Sequence, residues 1–278
     1  MSLLEETKKI CKLYDINPAR SKGQNFLINE NVYDKIIENA DISKEDIVLE
    51  VGQGLGFLTE KLAQRAKKVL AVELDDKLAG LLKTRLLANK INNVELINQD
   101  IIELLRLPEF GELEEFCKGK YKIVANLPYN ISSIFLRTVF ELKNKPSSLT
   151  LMLQKEVAER IVAKPGAMSL LSVSVQLYAD GEIIIDVPGG DFWPAPEVDS
   201  AVIKIDVNKE EKIDIKKFFQ IVKFGFSSKR KMLKNNLAAG LRVSQGEVGE
   251  RLLTAGFDMK IRAQELSVDD WKKVLKLF

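Results

Sequence analysis

Asn126, Leu127, Pro128 and Tyr129 follow a short apolar run, Tyr121 to Ala125, that reads as a buried strand. An amide, a stiffening proline and an aromatic ring at a strand's carboxyl end can grip a flat ring bearing an exocyclic amine. Such an amine, as on adenine, is a poor nucleophile because its lone pair is delocalised into the ring. The Asn126 side-chain oxygen and the Leu127 carbonyl offer acceptors for the two amine hydrogens, favouring a pyramidal nitrogen whose lone pair faces an incoming carbon. No strong base is required. Tyr129 offers a stacking face, worth roughly 1–3 kcal/mol per base. Phe192, in the run Phe192-Trp193-Pro194-Ala195-Pro196, offers a second ring on a proline-fixed loop. A base within a duplex would have to be flipped out, at a cost of about a few kcal/mol. Taken singly, Tyr129 and Phe192 suit core packing equally well, and Asn126 beside proline suits a plain turn.

The matching donor site is Glu50-Val51-Gly52-Gln53-Gly54-Leu55-Gly56, a glycine cluster at the end of an earlier strand. Glycine allows a tight turn and close backbone approach to a ligand, and the following helix start favours an anionic group such as a carboxylate. A nicotinamide-dinucleotide fingerprint would place its third glycine one position later, where Phe57 stands. The closer spacing suits a ligand without a pyrophosphate, such as S-adenosylmethionine. Glu73 ends the next strand, where an acid hydrogen-bonds ribose hydroxyls in dinucleotide folds. Asp100 follows the third strand, within reach of an adenine amine. Either acid alone could be an ordinary surface carboxylate. Together the two clusters point to methyl transfer onto an amino group of a base.

The composition fits that chemistry. The chain of 278 residues contains no histidine, which removes histidine bases, Ser-His-Asp triads and the commonest metal ligand. No metal site is expected. Hydrophobic residues make up 46% and charged residues 29%, ordinary for a soluble globular protein. The apolar runs are too short for a bilayer, and the acidic start lacks a signal-peptide core, so a cytoplasmic location is expected. Cys11 and Cys117 lack paired spacing and read as free thiols. Net charge is +2, yet Lys216, Lys217, Lys223, Lys229, Arg230, Lys231 and Lys234 form a stretch with no intervening acid, suited to phosphate contact. Alone, such a stretch is equally a solvated helix face.

The elements that must hold these residues alternate. Strands are expected at Ile47–Val51, Lys68–Glu73, Val94–Ile97, Tyr121–Ala125 and Leu149–Leu153, with helices over Leu58–Ala66, Lys77–Leu87 and Ile131–Leu142. Near-continuous apolar strands alternating with helices indicate a mostly parallel, doubly wound sheet. A first helix is expected from Leu3 to about Tyr14, an irregular stretch from Asp15 to Leu27, and a helix capped by Asn29. Ser169–Tyr178 fits either period. Glu182–Val187 and Val198–Val207 read as late strands. Past a charged linker at 208–212 the pattern is helical only: Ile215–Phe226, Lys231–Ala239, Gly246–Ala255 and Val268–Leu277.

The ordered set Lys22-Gly23-Gln24-Asn25-Phe26-Leu27, Glu50 through Gly56, Ala71-Val72-Glu73, Asn126 through Asn130, Gln154 through Arg160, Phe192 through Pro196 with Val198-Asp199-Ser200, and Phe226 through Leu237 resembles the ribosomal RNA adenine N6,N6-dimethyltransferases, the KsgA or RsmA family. The resemblance covers nearly the whole chain. It implies an α/β class I S-adenosylmethionine-dependent methyltransferase domain over residues 1–208, Rossmann-like with a mostly parallel seven-stranded sheet. It also implies a small all-helical domain over 209–278 that binds RNA and ribosome. The implied activity is dimethylation of two adjacent adenines in the 3′-terminal hairpin of 16S RNA, as part of small-subunit biogenesis. By position, Asn25, Leu27, Gly52, Gly54, Glu73, Asp100 and Asn126 would line the cofactor. Asn126, Leu127, Tyr129 and Phe192 would hold the target base, and Lys223, Lys229, Arg230, Lys231 and Lys234 would meet RNA backbone. The implied partner is an immature small subunit, and a monomer is expected. Gln53 stands where many members carry proline, and Lys229 where arginine is common; lysine lacks the bidentate fork.

Three rivals remain at the level of sequence. One is a related enzyme that methylates an adenine of large-subunit RNA and confers antibiotic resistance; the Phe192 loop and the basic C-terminal region favour the small subunit. Another is a non-catalytic assembly or transcription factor on the same fold, against which the intact Asn126–Tyr129 run stands. The last is a nicotinamide oxidoreductase.

Overall fold

A computed structural model describes residues 1–18, 24–107 and 119–278. Lys22 and Gly23 of the first motif, and Cys117, lie outside the described residues. The chain divides into two compact units, one of residues 1–158 and 180–207, the other of residues 159–179 and 208–278.

The first unit is built on a seven-stranded sheet. In chain order its strands are β2 (Ile47–Val51), β3 (Lys68–Val72), β4 (Val94–Ile97), β5 (Tyr121–Asn126), β6 (Ser148–Gln154), β7 (Ala179–Val187) and β9 (Ser200–Val207), with β1 (Phe26–Leu27) and β8 (Phe192–Trp193) pairing apart from it. The spatial order is β4-β3-β2-β5-β6-β9-β7. The pairs β2–β3, β2–β5, β3–β4 and β5–β6 are parallel, and β6–β9 is antiparallel. Their central residues are buried: Val48, Leu49, Leu70, Ile123, Val124, Leu151 and Ile203 are each at most 2% exposed. Continuous apolar runs are what a sheet covered on both faces requires.

The strand order decides where a ligand can sit. From β2 the chain moves outward through β3 to β4, then returns to place β5 on the other flank of β2. Helices feeding from neighbouring strands diverge at that reversal, leaving a crevice at the carboxyl ends of β2 and β5. The register Val51↔Ala125 sets Gly52 and Asn126 side by side at its mouth. The helix Phe57–Arg65 starts from Gly56 and the helix Asp76–Ala88 from Asp75, both opening at this edge.

Two expectations change. The stretch before Leu27 holds a short ladder: Phe26 pairs with Trp193 and Leu27 with Phe192. Each strand is only two residues long, too short to leave a periodic signal. Ser169–Tyr178 resolves as a helix, Leu170–Gln176, capped by Ser169.

The second unit is helical. Its helices are Leu170–Gln176, Ile215–Gly225, Leu233–Leu241, Gln245–Thr254 and Val268–Leu275. Residues 159–179 group with it although they precede the charged linker: Gly166 and Met168 donate their N–H groups to the Gln264 carbonyl (2.8 and 3.1 Å). Trp271 is fully buried and lies over Phe226, with ring centroids 5.5 Å apart. A Cβ on Gly225 would come within 2.2 Å of the Trp271 ring, so glycine makes room for the indole. Asn236, 3% exposed, donates to the Gly225 and Ser228 carbonyls (2.6 and 2.9 Å) and fixes the turn that leads into Lys229–Lys231.

Candidate functional site: a cavity at the strand-order reversal

A cavity of about 290 Å³ opens at the carboxyl ends of β2, β3 and β5. Glycine loop, acids and the Asn126–Tyr129 run converge on it: Gly52, Gly54, Glu73, Asp100, Asn126 and Tyr129 all line its wall. Gly52 and Asn126, 74 residues apart in sequence, thus share one wall, because β2 and β5 are neighbours in the sheet.

The glycine loop is held in a shape few side chains accept. Gly52, Gly54 and Gly56 have φ of +70°, +55° and +86°, where an added Cβ is strained. The Gly52 Cα is bare toward the Asn126 carbonyl and Pro128, and Gly54 toward the Phe26 ring. Glu73 braces this loop from the next strand. One carboxylate oxygen accepts the Gly54 N–H (3.2 Å) and the other the Asp75 N–H (3.0 Å). Only 8% exposed, Glu73 has its carboxyl raised above the usual carboxylate range by burial, those backbone hydrogen bonds pulling the other way. Each oxygen keeps a second lone pair for a ligand hydroxyl.

Asp100 caps the helix Ile101–Arg106: one oxygen accepts the Ile102 N–H at 2.7 Å and the Glu103 N–H at 3.4 Å. The cap explains the acid at this position, and its other oxygen remains for the cavity. Asp75 is a wall residue that the sequence reading passed over. It accepts from Lys77 N–H and Leu78 N–H as a helix cap and from the Gln24 amide (3.3 Å). An aspartate directly before an apolar-periodic run was the signal for it.

On the acceptor side, the Leu127 N–H is spent on the Met152 carbonyl (3.0 Å). The Asn126 amide makes no hydrogen bond among the described residues and lines the cavity. The Tyr129 hydroxyl meets the Ser200 hydroxyl at 2.7 Å, which fixes the ring's tilt. Burial pushes the Tyr129 phenol up, with the Ser200 bond opposing and Asp199 adding to the rise. Phe192, 3% exposed, lines the cavity from the short β1–β8 ladder. Asp199 pins the loop behind it by accepting the Gly189 N–H (2.9 Å).

Asn25 lines the cavity, whereas Leu27 does not. Leu27 is 1% exposed in the core beside Phe192, and its carbonyl accepts the Tyr33 hydroxyl (3.2 Å). The basic residues belong to the helical unit. Lys223, Lys229, Arg230 and Lys231 are exposed and Lys234 half-buried, none in an ion pair among the described residues. Cys11 is a buried free thiol that burial raises to about 11. Among the described residues no cluster of His, Cys, Asp or Glu could hold a metal, and no helix is long and apolar enough to cross a membrane.

Comparison with known proteins narrows this chemistry. Residues 17–278 match the pattern that defines the family described as ribosomal RNA adenine dimethylase. The chain belongs to that family. It is 42% identical over 276 residues to the ribosomal RNA small subunit methyltransferase A of Dehalococcoides mccartyi (strain CBDB1), covering 98% of this chain and 92% of that one. It is 38% identical to the protein of the same name from Alkaliphilus oremlandii, covering 96% and 94%. A dimethyladenosine transferase from Plasmodium falciparum superposes with a TM-score of 0.74 at 28% identity, covering 90% and 95% of the two chains. A 23S rRNA methyltransferase superposes at 0.71 with 24% identity, a likeness of fold. As an adenine dimethylase the chain is an S-adenosylmethionine-dependent enzyme of the class I fold. The cavity suits that cofactor: a bare glycine loop gives backbone approach, and a buried acid at the neighbouring strand end offers acceptors to a ribose.

Proposed function

We propose that the protein dimethylates N6 of two adjacent adenines in the 3′-terminal hairpin of 16S ribosomal RNA, acting on the immature small subunit. The single observation that carries the reading is the register Val51↔Ala125, which sets the glycine loop against Asn126 at one cavity mouth. The small-subunit target is favoured by similarity to relatives named for that subunit over nearly the full chain.

In this reading Gly52 and Gly54 admit the cofactor, Glu73 and Asp100 orient its ribose and adenine, and Asn25 and Leu27 close the near side, Leu27 by supporting the wall. The bound cofactor supplies a methyl group on a positively charged sulfonium. Asn126 and the Leu127 carbonyl accept the amine hydrogens of the target adenine and hold its lone pair out of the ring plane. Tyr129, its tilt set by Ser200, stacks on the base, and Phe192 faces it across the cavity. Each transfer releases one N6 proton to solvent, and in the second the single remaining N–H is held by one of the two acceptors while the other stands free. In this reading methyl transfer belongs to residues 1–208 and contact with ribosomal RNA to 209–278, with which residues 159–179 group in the fold. The enzyme works in the cytoplasm as a monomer, without a metal.

Incubation with labelled S-adenosylmethionine and undermethylated small subunits, followed by mapping, is expected to place label on two adjacent adenines near the 3′ end of 16S RNA. Label on large-subunit RNA alone would overturn the assignment. Lys223, Lys229, Arg230, Lys231 and Lys234 face phosphate in this reading, so RNA affinity is expected to fall steeply as salt rises. A flat salt response would remove that basic stretch from the interface.

A further inference from the structure

Asp199 stands directly before Ser200, the partner of Tyr129, where the chain enters β9. Its backbone is fixed to the sheet. Gln154 of β6 pairs with Ser200, and one step further the Lys155 N–H donates to the Asp199 carbonyl (3.0 Å). Successive side chains along such a ladder point to opposite faces, so these two neighbours serve different partners.

The Asp199 carboxylate takes the loop that carries Phe192. It accepts the Gly189 N–H (2.9 Å) and so closes the loop at its base. Inside the loop, the Asp191 N–H donates to the Pro188 carbonyl (2.9 Å), and the Asp191 carbonyl accepts the Ile28 N–H (2.8 Å). Phe192 then pairs with Leu27. The entry has no slack, since a Cβ on Gly189 would lie 3.1 Å from the Pro196 carbonyl oxygen. Phe192, on the cavity wall, is thus held by β1 on one side and by Asp199 at the loop's base.

Ser200 takes the other ring. Its hydroxyl is fully buried, meets the Tyr129 hydroxyl at 2.7 Å and has no other partner among the described residues. That bond bridges the end of β6: Met152 pairs with Asn126 on one flank, and Gln154 with Ser200 on the other. Adjacent Cα atoms lie about 3.8 Å apart. Two rings far apart in sequence are therefore both placed from one short, anchored segment.

We infer that Asp199 is a positioning residue for the target adenine: through the Gly189 loop it places Phe192 while Ser200 places Tyr129, so that this dipeptide sets the gap between the two rings. The inference rests on the reading in which those rings hold the base. Asp199 touches no reacting atom and moves no proton. Its effect is orientation. A flipped base that rocks in a widened gap presents its amine off line to the methyl group, and a displacement of about 1 Å costs on the order of 10²-fold in rate.

The test is steady-state methylation of undermethylated small subunits, with calorimetric cofactor affinity alongside, for the full chain and its Asp199→Ala, Asp199→Asn and Phe192→Ala variants. Asp199→Ala is expected to lower kcat roughly 10- to 100-fold. The KM for small subunits changes little, because phosphate contacts carry that affinity, and cofactor affinity stays native. Asp199→Asn keeps an acceptor oxygen for the Gly189 N–H and is expected to recover most of the rate. Adding Asp199→Ala to Phe192→Ala is expected to cost nothing further, because the ring it places is gone. A native kcat in Asp199→Ala, no recovery in Asp199→Asn, losses that multiply in the double variant, or a parallel loss of cofactor affinity would overturn the inference. A native kcat in Phe192→Ala would overturn the base-holding reading, and this inference with it. Should Asp199→Ala not fold, Ser200→Ala and Tyr129→Phe serve instead. These two and their double variant are expected to share one loss of kcat, whereas native rates or multiplied losses contradict the shared gap.

Discussion

Asn126→Ala is expected to lower the methylation rate by roughly 10²–10³-fold at saturating cofactor and RNA, as for loss of one positioned polar group at a reacting centre. The side-chain amide sits at the end of β5 and makes no hydrogen bond among the described residues, so its removal leaves the strand ladder and the Leu127–Met152 bond intact. Because the interaction matters most when the amine becomes pyramidal, kcat carries the loss and the KM values change little. Single-turnover kinetics with undermethylated small subunits measures this directly. An unchanged rate would remove Asn126 from the chemistry and return it to the role of a turn residue.

Glu73→Ala is expected to act on the other half of the site. The carboxylate faces the cavity and also holds the Gly54 and Asp75 N–H groups. Hydrogen bonds to charged groups contribute about 1.5–3 kcal/mol each, so cofactor affinity should fall on the order of 10²-fold by calorimetry. At saturating cofactor, kcat should recover most of its native value, the reverse of the Asn126 pattern. Thermal denaturation separates this from instability, since the β2–β3 ladder does not depend on the Glu73 side chain. Native cofactor affinity in Glu73→Ala would mean that the acid serves only to brace the loop.

Legibility in the sequence followed the strength of the local signal. Ile47–Val51 and Val94–Ile97 form strands at their expected bounds, because an apolar run between polar loops has few other ways to be buried. The glycine loop and the Asn126 run were legible as separate turns at strand ends, and the strand order places both on one cavity. The β1–β8 ladder was not legible, since Phe26-Leu27 and Phe192-Trp193 meet through tertiary packing across more than 160 residues of chain. The grouping of 159–179 with the C-terminal helices depends on the Gln264 carbonyl, a partner no local pattern names. Ser200 as the support of Tyr129 was hidden for the same reason.

The central claim is that one cavity brings a bound methyl donor against the Asn126 amide. A crystal structure of the full chain with a bound S-adenosylmethionine analogue and adenosine measures it most directly. The account predicts the donor's sulfur beside Gly52, with the adenosine amine between it and the Asn126 side-chain oxygen. A sulfur and an amide on opposite sides of the sheet edge would contradict it.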